Sequence, residues 1–210
     1  MVQSVFGREN APGARNDGSY YGSQVPFIKT RSIIPLAVEE MVELLLDSSR
    51  VKTYNPWSLG RRDCWVADYD AEHTKIVKNR VQPPFGAKAM VSTTLLHARP
   101  AAATEDDGAW IVVSRSVGGF RFAEPDDATV GRSDILLGVN LLQPVDNESC
   151  LLTAVTHVYS SAVPTMLAER LGVQSAVKFV RDMRSLKVAA AVVVSAGNKR
   201  ITDKTNPIAS

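Results

Sequence analysis

Three histidines and two cysteines are the strongest candidates for bond-making or metal chemistry in this 210-residue sequence. Their spacing gives them little to do. His73, His97 and His157 show no metal-ligand spacing with one another or with Cys64 and Cys150. No nucleophile elbow, P-loop or dinucleotide fingerprint occurs, so neither a metal nor any other cofactor is expected. Arg132 and Asp134 stand two apart on a predicted strand and share a face, which suits a structural ion pair better than catalysis. The sequence does offer polar side chains at strand spacing. Ser92, Thr94, Ser114, Thr153 and His157 fall on faces that alternation assigns to the interior. That is more polar than a dry core favours, because each buried polar group without a partner costs free energy. Either local neighbours bond them, as in an ordinary core, or they face a cavity.

The elements that must hold these residues follow from the hydrophobic periods. Residues 1–25 are poor in structure-forming residues, with Val2 to Arg8 as a possible strand before the loop signals Asn10 to Gly13 and Asn16 to Gly18. Phe27 to Ile34 reads as a strand stopped by Pro35. Val38, Met41, Val42, Leu45 and Leu46 then repeat at helical spacing, with Glu39, Glu40 and Glu43 around them. From Arg62 to Val158 the period is two, predicting strands near 62–69, 74–81, 88–97, 109–117, 132–142 and 150–159. Short turn-rich joints between them favour an antiparallel meander. Val163 to about Val194 closes the chain as one long helix, opened by Pro164. Its apolar face carries Met166, Leu167, Val173, Ala176, Val177, Val180 and Met183, and Gly172 marks a candidate kink. A curved sheet closing around that helix would bury the face. The expected fold class is therefore α+β, a helix-grip arrangement, with a domain over 26–194, a poorly ordered segment before it and a flexible tail over 195–210.

Composition narrows the function. Twenty-four Lys plus Arg against 22 Asp plus Glu give no argument for a nucleic-acid partner. Two cysteines define no disulfide framework, and a reduced compartment is compatible with them. The N-terminus lacks the apolar core of a signal peptide. The longest apolar run, Val188 to Val194, is far below the roughly 18 residues of a spanning helix. The expected setting is cytoplasmic.

Between Phe27 and Leu186 the sequence resembles the steroidogenic acute regulatory protein-related lipid-transfer family, the START domains. The resemblance is carried by Asn55-Pro56 after the first helix, the strand after Gly86, and Ile111 to Val117 (IVVSRSV). It continues through Val130-Gly131-Arg132-Ser133-Asp134, Leu152 to Val158, and Val163-Pro164 opening the last helix. Where many relatives have Pro-Arg-Asp-Phe, this chain has Ala87-Lys88-Ala89-Met90, a point charge in place of a two-pronged guanidinium. The acid paired with that arginine in some relatives would fall near Tyr69.

The resemblance implies a lipid carrier with no bond-making chemistry. One sterol, phospholipid or sphingolipid would occupy a tunnel between sheet and helix, and loops would part at a transiently contacted membrane. A monomer that is not an enzyme is expected. Alternation then names the lining: Lys88, Met90, Ser92 and Thr94; Trp110, Val112 and Ser114; Leu137 and Val139 with Ile135 and Leu141; Thr153, Val155 and His157 with Leu151; and Val177 from the helix. Ser114 and Thr153 match positions where some relatives present polar groups to the ligand head. Phe85, on a Pro-Pro-Phe-Gly loop, and Phe120 and Phe122, between Gly118 and Gly131, are candidate gate or membrane-contact residues, with ordinary loop packing as the alternative. Two other functions stay open for such a fold: an enzyme of polyketide cyclase or thioesterase type, and a lipid-sensing regulatory module.

Overall fold

The computed structural model describes residues 3–7, 27–82, 88–101, 108–117, 130–161 and 163–202. Eight strands form one sheet: β1 (Gln3–Gly7), β2 (Phe27–Ile34), β3 (Ser58–Val66), β4 (Thr74–Val81), β5 (Met90–Pro100), β6 (Trp110–Ser116), β7 (Gly131–Asp146) and β8 (Ser149–Ser160). Their order across the sheet is β1-β2-β8-β7-β6-β5-β4-β3. Neighbours run antiparallel. The start of β7 also meets β5 in parallel, through Met90–Gly131 and Val91–Arg132, as the curved sheet curls past the end of β6. Helices α1 (Val38–Leu46) and α2 (Val51–Tyr54) lie between β2 and β3, and α3 (Thr165–Thr202) ends the described chain. This is the helix-grip α+β fold.

The helices cover one face only. On β2 the burial alternates strictly, with Ile28, Thr30, Ser32 and Ile34 inside and Phe27, Lys29, Arg31 and Ile33 outside. Cross-strand partners share a face, so the register carries this assignment across the sheet. Ile34, Leu142, Leu152, Cys150, Ala98, Val112 and Val77 pack with the apolar side of α1, with Val51 and Tyr54 of α2, and with Val180 and Met183 of α3. That is a packed core at one end of the inner face.

Arg61 of β3 pins this end. Its Nε donates to Ser48 Oγ (3.0 Å), Nη1 to Tyr54 OH (3.1 Å) and Nη2 to the Leu45 carbonyl (2.9 Å). The last of these satisfies a carbonyl that the end of α1 would leave unpaired. Tyr54 in turn meets Phe179 of α3 edge to face, with ring centroids 6.0 Å apart. Asp63 accepts from Ser48 Oγ and from Lys75 Nζ, the latter at 3.0 Å. Burial pushes the Asp63 carboxyl up, but the hydrogen bonds from Ser48 and Lys75 and the charges of Lys75 and Arg61 outweigh it and hold the group below its ordinary value.

Several expected bounds move. β4 begins and ends where turn signals place it, at 74 and 81. β3 starts four residues before the expected 62, at Ser58, where Gly60 at φ 150° sits in a register shift that breaks the alternation. α3 is unbroken at Gly172 and continues to Thr202, through residues assigned to a tail. Gly172 serves close approach: a Cβ there would come within 2.2 Å of Ile28 Cδ1.

Two outcomes follow. Arg61→Lys keeps the charge but not the three-way fork, and is expected to cost about 1–3 kcal/mol in chemical denaturation, with the exposed Arg62→Lys near neutral. Asp63→Asn is expected to cost about 1 kcal/mol or less at neutral pH, because the carboxyl is partly exposed. A depressed carboxylate stabilises above its unfolded-state pKa and loses that contribution as pH falls through its folded-state pKa. The difference between wild type and Asp63→Asn should therefore narrow and close as pH falls below the ordinary carboxylate range, in acid titrations followed by circular dichroism.

Candidate functional site

Beyond the packed core, the inner face becomes polar. β5 alternates cleanly, with Ser92, Thr94, Leu96 and Ala98 buried. From β6 come Trp110, Val112 and Ser114, facing Leu142, Asn140 and Gly138 of β7 across the ladder. Thr30 and Ser32 of β2 and Thr156 of β8 complete the row. Gly138 is a spatial requirement, since a Cβ on it would lie 2.1 Å from Ser114 Oγ. The Thr94 side chain is only 2 % exposed, and its Oγ1 has no hydrogen-bond partner among the described residues. A buried hydroxyl left in that state costs about 1–3 kcal/mol.

Helix α3 lies on the same face of the sheet, against β2 and α2, and its packing changes along its length. Val180 and Met183 are fully enclosed, while Val173, Ala176 and Val177 nearer the start are half-buried and Leu167 is 43 % exposed. The helix runs closest to β2 and α2. Its first turns therefore carry apolar surface across the sheet without the dry packing found at the other end.

Of the expected lining residues, Met90, Ser92, Thr94, Trp110, Val112 and Ser114 lie on the inner face, and Val177 is half-buried on α3. Lys88 is exposed, just before β5. For β7 and β8 the expected phase is corrected. Thr153 pairs with Arg31 and Leu141, Val155 with Lys29 and Val139, and His157 with Leu137. Leu137, Val139, Thr153, Val155 and His157 thus belong to the outer face, where the His157 ring lies 4.1 Å from that of Phe27. Both faces of these two strands are apolar, so alternation alone carried no sign. Ile135 does face inward, because a register shift between Ile135 and Leu137 reverses the phase. Asn140 and Thr156 were missed for the same reason. The strict polar alternation of β2, carried through its pairing with β8, is the signal that finds them. Phe85, Phe120 and Phe122 lie outside the described residues.

The remaining titratable groups form structural networks. Thr74 Oγ1 donates to Asp70 Oδ2 at 2.5 Å and lies 2.7 Å from His97 Nδ1, while His73 Nδ1 is 3.0 Å from Asp70 Oδ1. The Thr74 hydroxyl holds the Asp70 carboxyl below its ordinary value against a burial effect, helped by the two histidines. Arg132 Nε reaches both Asp134 oxygens, at 2.9 and 2.8 Å, forming the expected structural pair. Burial raises the Cys150 thiol to about 11, so it is an unreactive core residue. Among the described residues, no group of three or more His, Cys, Asp or Glu is placed to hold a metal ion. No described helix is long and apolar enough to cross a membrane. An open groove of about 480 Å³ between Pro35 and Asp146 to Ser149 lies at the β7–β8 turn and belongs to a different surface.

Comparison with known proteins agrees with the fold. Residues 96–187 match the START domain model. No curated protein matches at a significant level. Among solved structures, the human StarD13 (DLC2) lipid transfer and protein localization domain shares 11% identity at a TM-score of 0.70, covering 88% of this chain and 83% of that one. Human StAR-related lipid transfer protein 5 shares 12% at 0.67, covering 88% and 80%. A STAR-related lipid transfer protein from Xanthomonas axonopodis shares 17% at 0.64, covering 80% and 88%. At these identities the structural likeness is one of fold. The expected resemblance to START domains is borne out, in sequence over residues 96–187 and in architecture over most of the chain.

The unpartnered hydroxyl gives a direct test of the inner face. Thr94→Val keeps the shape and removes the unmet hydrogen bond, and is expected to stabilise the ligand-free protein by about 1 kcal/mol in urea denaturation. A loss of stability would mean that the hydroxyl is bonded in solution.

Proposed function

We propose, on the premise of a START-like chain, that this protein is a lipid carrier. It binds one sterol, phospholipid or sphingolipid between the inner face of the sheet and the first turns of α3, and moves it between membranes without making or breaking bonds. The observation that carries the reading is the contrast along the inner face. At one end aliphatic side chains are packed shut against α1, α2, Val180 and Met183. At the other, hydroxyl and amide groups from β2, β5, β6 and β7 lie beneath a helix whose apolar residues are only half-buried. An apolar body with a small polar head complements such a space, and burying its surface supplies roughly 25 cal/mol per Å².

In this reading Met90, Ser92, Thr94, Ser114 and Val177 contact the ligand, while Val112 and Trp110, also expected there, belong to the packed end. Asn140 and Thr156 take the places first given to Val139 and Thr153. Phe85, Phe120 and Phe122 act at the gate. The carrier works as a cytoplasmic monomer that touches membranes peripherally.

Native mass spectrometry of protein purified from a cell extract, followed by lipid extraction, tests this directly. One lipid per chain, of a single class, is the expected result and names the ligand. A protein that arrives empty and takes up no sterol, phospholipid or ceramide from vesicles or from detergent solution would sink the reading.

A further inference from the structure

The outer face of the sheet has a chemistry of its own. No described helix covers it, and its outward positions mix aliphatic, polar and cationic side chains, with Thr74, Ile76, Lys78 and His157 buried. One row across the sheet, read from the strand register, runs Arg31, Thr153, Leu141, Ile111 and Arg99. The next begins at Lys29 and continues through Val155, Val139 and Val113 to His97 and Thr74, beside Asp70. Cations therefore flank the aliphatic middle of the first row, and Lys29, Arg31 and Arg99 are exposed. Large apolar side chains protrude at the ends: Ile33 at 54 % exposure on one, and Phe27, Leu137 and Tyr159 at 37 to 39 % on the other. The acids near this face are engaged: Asp70 lies against Thr74, His73 and His97, Asp134 is buried and paired with Arg132, and Asp146 and Glu148 sit in the β7–β8 turn.

We propose that this outer face docks on an anionic lipid bilayer. The argument is charge complementarity combined with apolar protrusion. An anionic membrane presents negative head groups above acyl carbon, and Lys and Arg with aromatic rings are the side chains that suit that layering. Along β2 the outward sequence Phe27, Lys29, Arg31, Ile33 places cations between apolar anchors. Docking by the outer face turns α3 and the inner face away from that bilayer, so this contact is a tether and not the exchange contact itself. The proposal rests on the carrier reading for its purpose, and on the charge pattern for its evidence.

The test is co-sedimentation of the full chain with vesicles of phosphatidylcholine alone or mixed with phosphatidylserine, at low and physiological salt. Wild type should bind the phosphatidylserine vesicles selectively and more weakly as salt rises. Lys29→Glu with Arg31→Glu should weaken that binding roughly tenfold or more, with an unchanged circular dichroism spectrum. Arg50→Glu with Lys52→Glu makes the same change in net charge on the helical side and should leave binding intact. Equal binding by the β2 double variant and wild type overturns the proposal. So does equal loss in the control, or wild-type binding that ignores phosphatidylserine, which would leave an acidic protein as the better partner. Uptake of lipid from detergent solution, read by native mass spectrometry, needs no docking. A protein that docks but never carries lipid refutes the carrier reading and leaves the docking surface standing.

Discussion

A long helix laid across a curved sheet on two supports is the constraint on which the rest of this structure depends. One support is β2, where Gly172 lets the α3 backbone approach Ile28 more closely than any side chain would allow. The other is the Arg61 cluster, which fixes Tyr54 beneath Phe179 and closes the core around Val180 and Met183. Between them the helix need not pack against β4, β5 and β6. A guanidinium suits the anchoring role because its donors form a rigid planar fork, here directed at a hydroxyl, a phenol and a backbone carbonyl at once.

How much of this was legible in the sequence depended on whether the two faces of an element differed. β2 alternates buried aliphatic or small residues with exposed, mostly charged or aromatic ones, so its inward set could be read directly, and the phase expected for β5 placed Ser92 and Thr94 inward as found. α1 could be read because its acids and aliphatics separate at helical spacing. β7 and β8 carry aliphatic residues on both faces, and period two then gives the strand without its phase. The phase of β8 is imposed from outside by pairing with β2, a long-range contact. The bulge at Leu136 flips β7 again, which is why Ile135 faces inward while Leu137 does not. Tertiary pairing and one inserted residue decided what local pattern could not. The four-residue helix α2 escaped notice for a related reason: Val51 and Tyr54 are too few to form a period.

The same two-sidedness separates the molecule electrostatically. On the inner face, charged groups are consumed by one another or by backbone, and the exposed ladder offers Ser, Thr and Asn. On the outer face Lys29, Arg31 and Arg99 are exposed beside partly buried aliphatic positions, while Lys78 is buried. Val113, Val139 and Leu141 on that face are half-buried, and their side chains pack against one another across the strands.

Stability and openness also divide along the inner face. A fully packed interior would be more stable than one that leaves the Thr94 hydroxyl unpaired and α3 half-supported, because unmet hydrogen bonds and missing contacts both cost free energy. The packed end, from Ile34 to Met183, carries the aliphatic core of the described residues, and the polar end contributes less to it. An interior that must accept and release a large apolar guest has to be built this way. Its own side chains cannot fill the space, and whatever closes the space must be held from its edges.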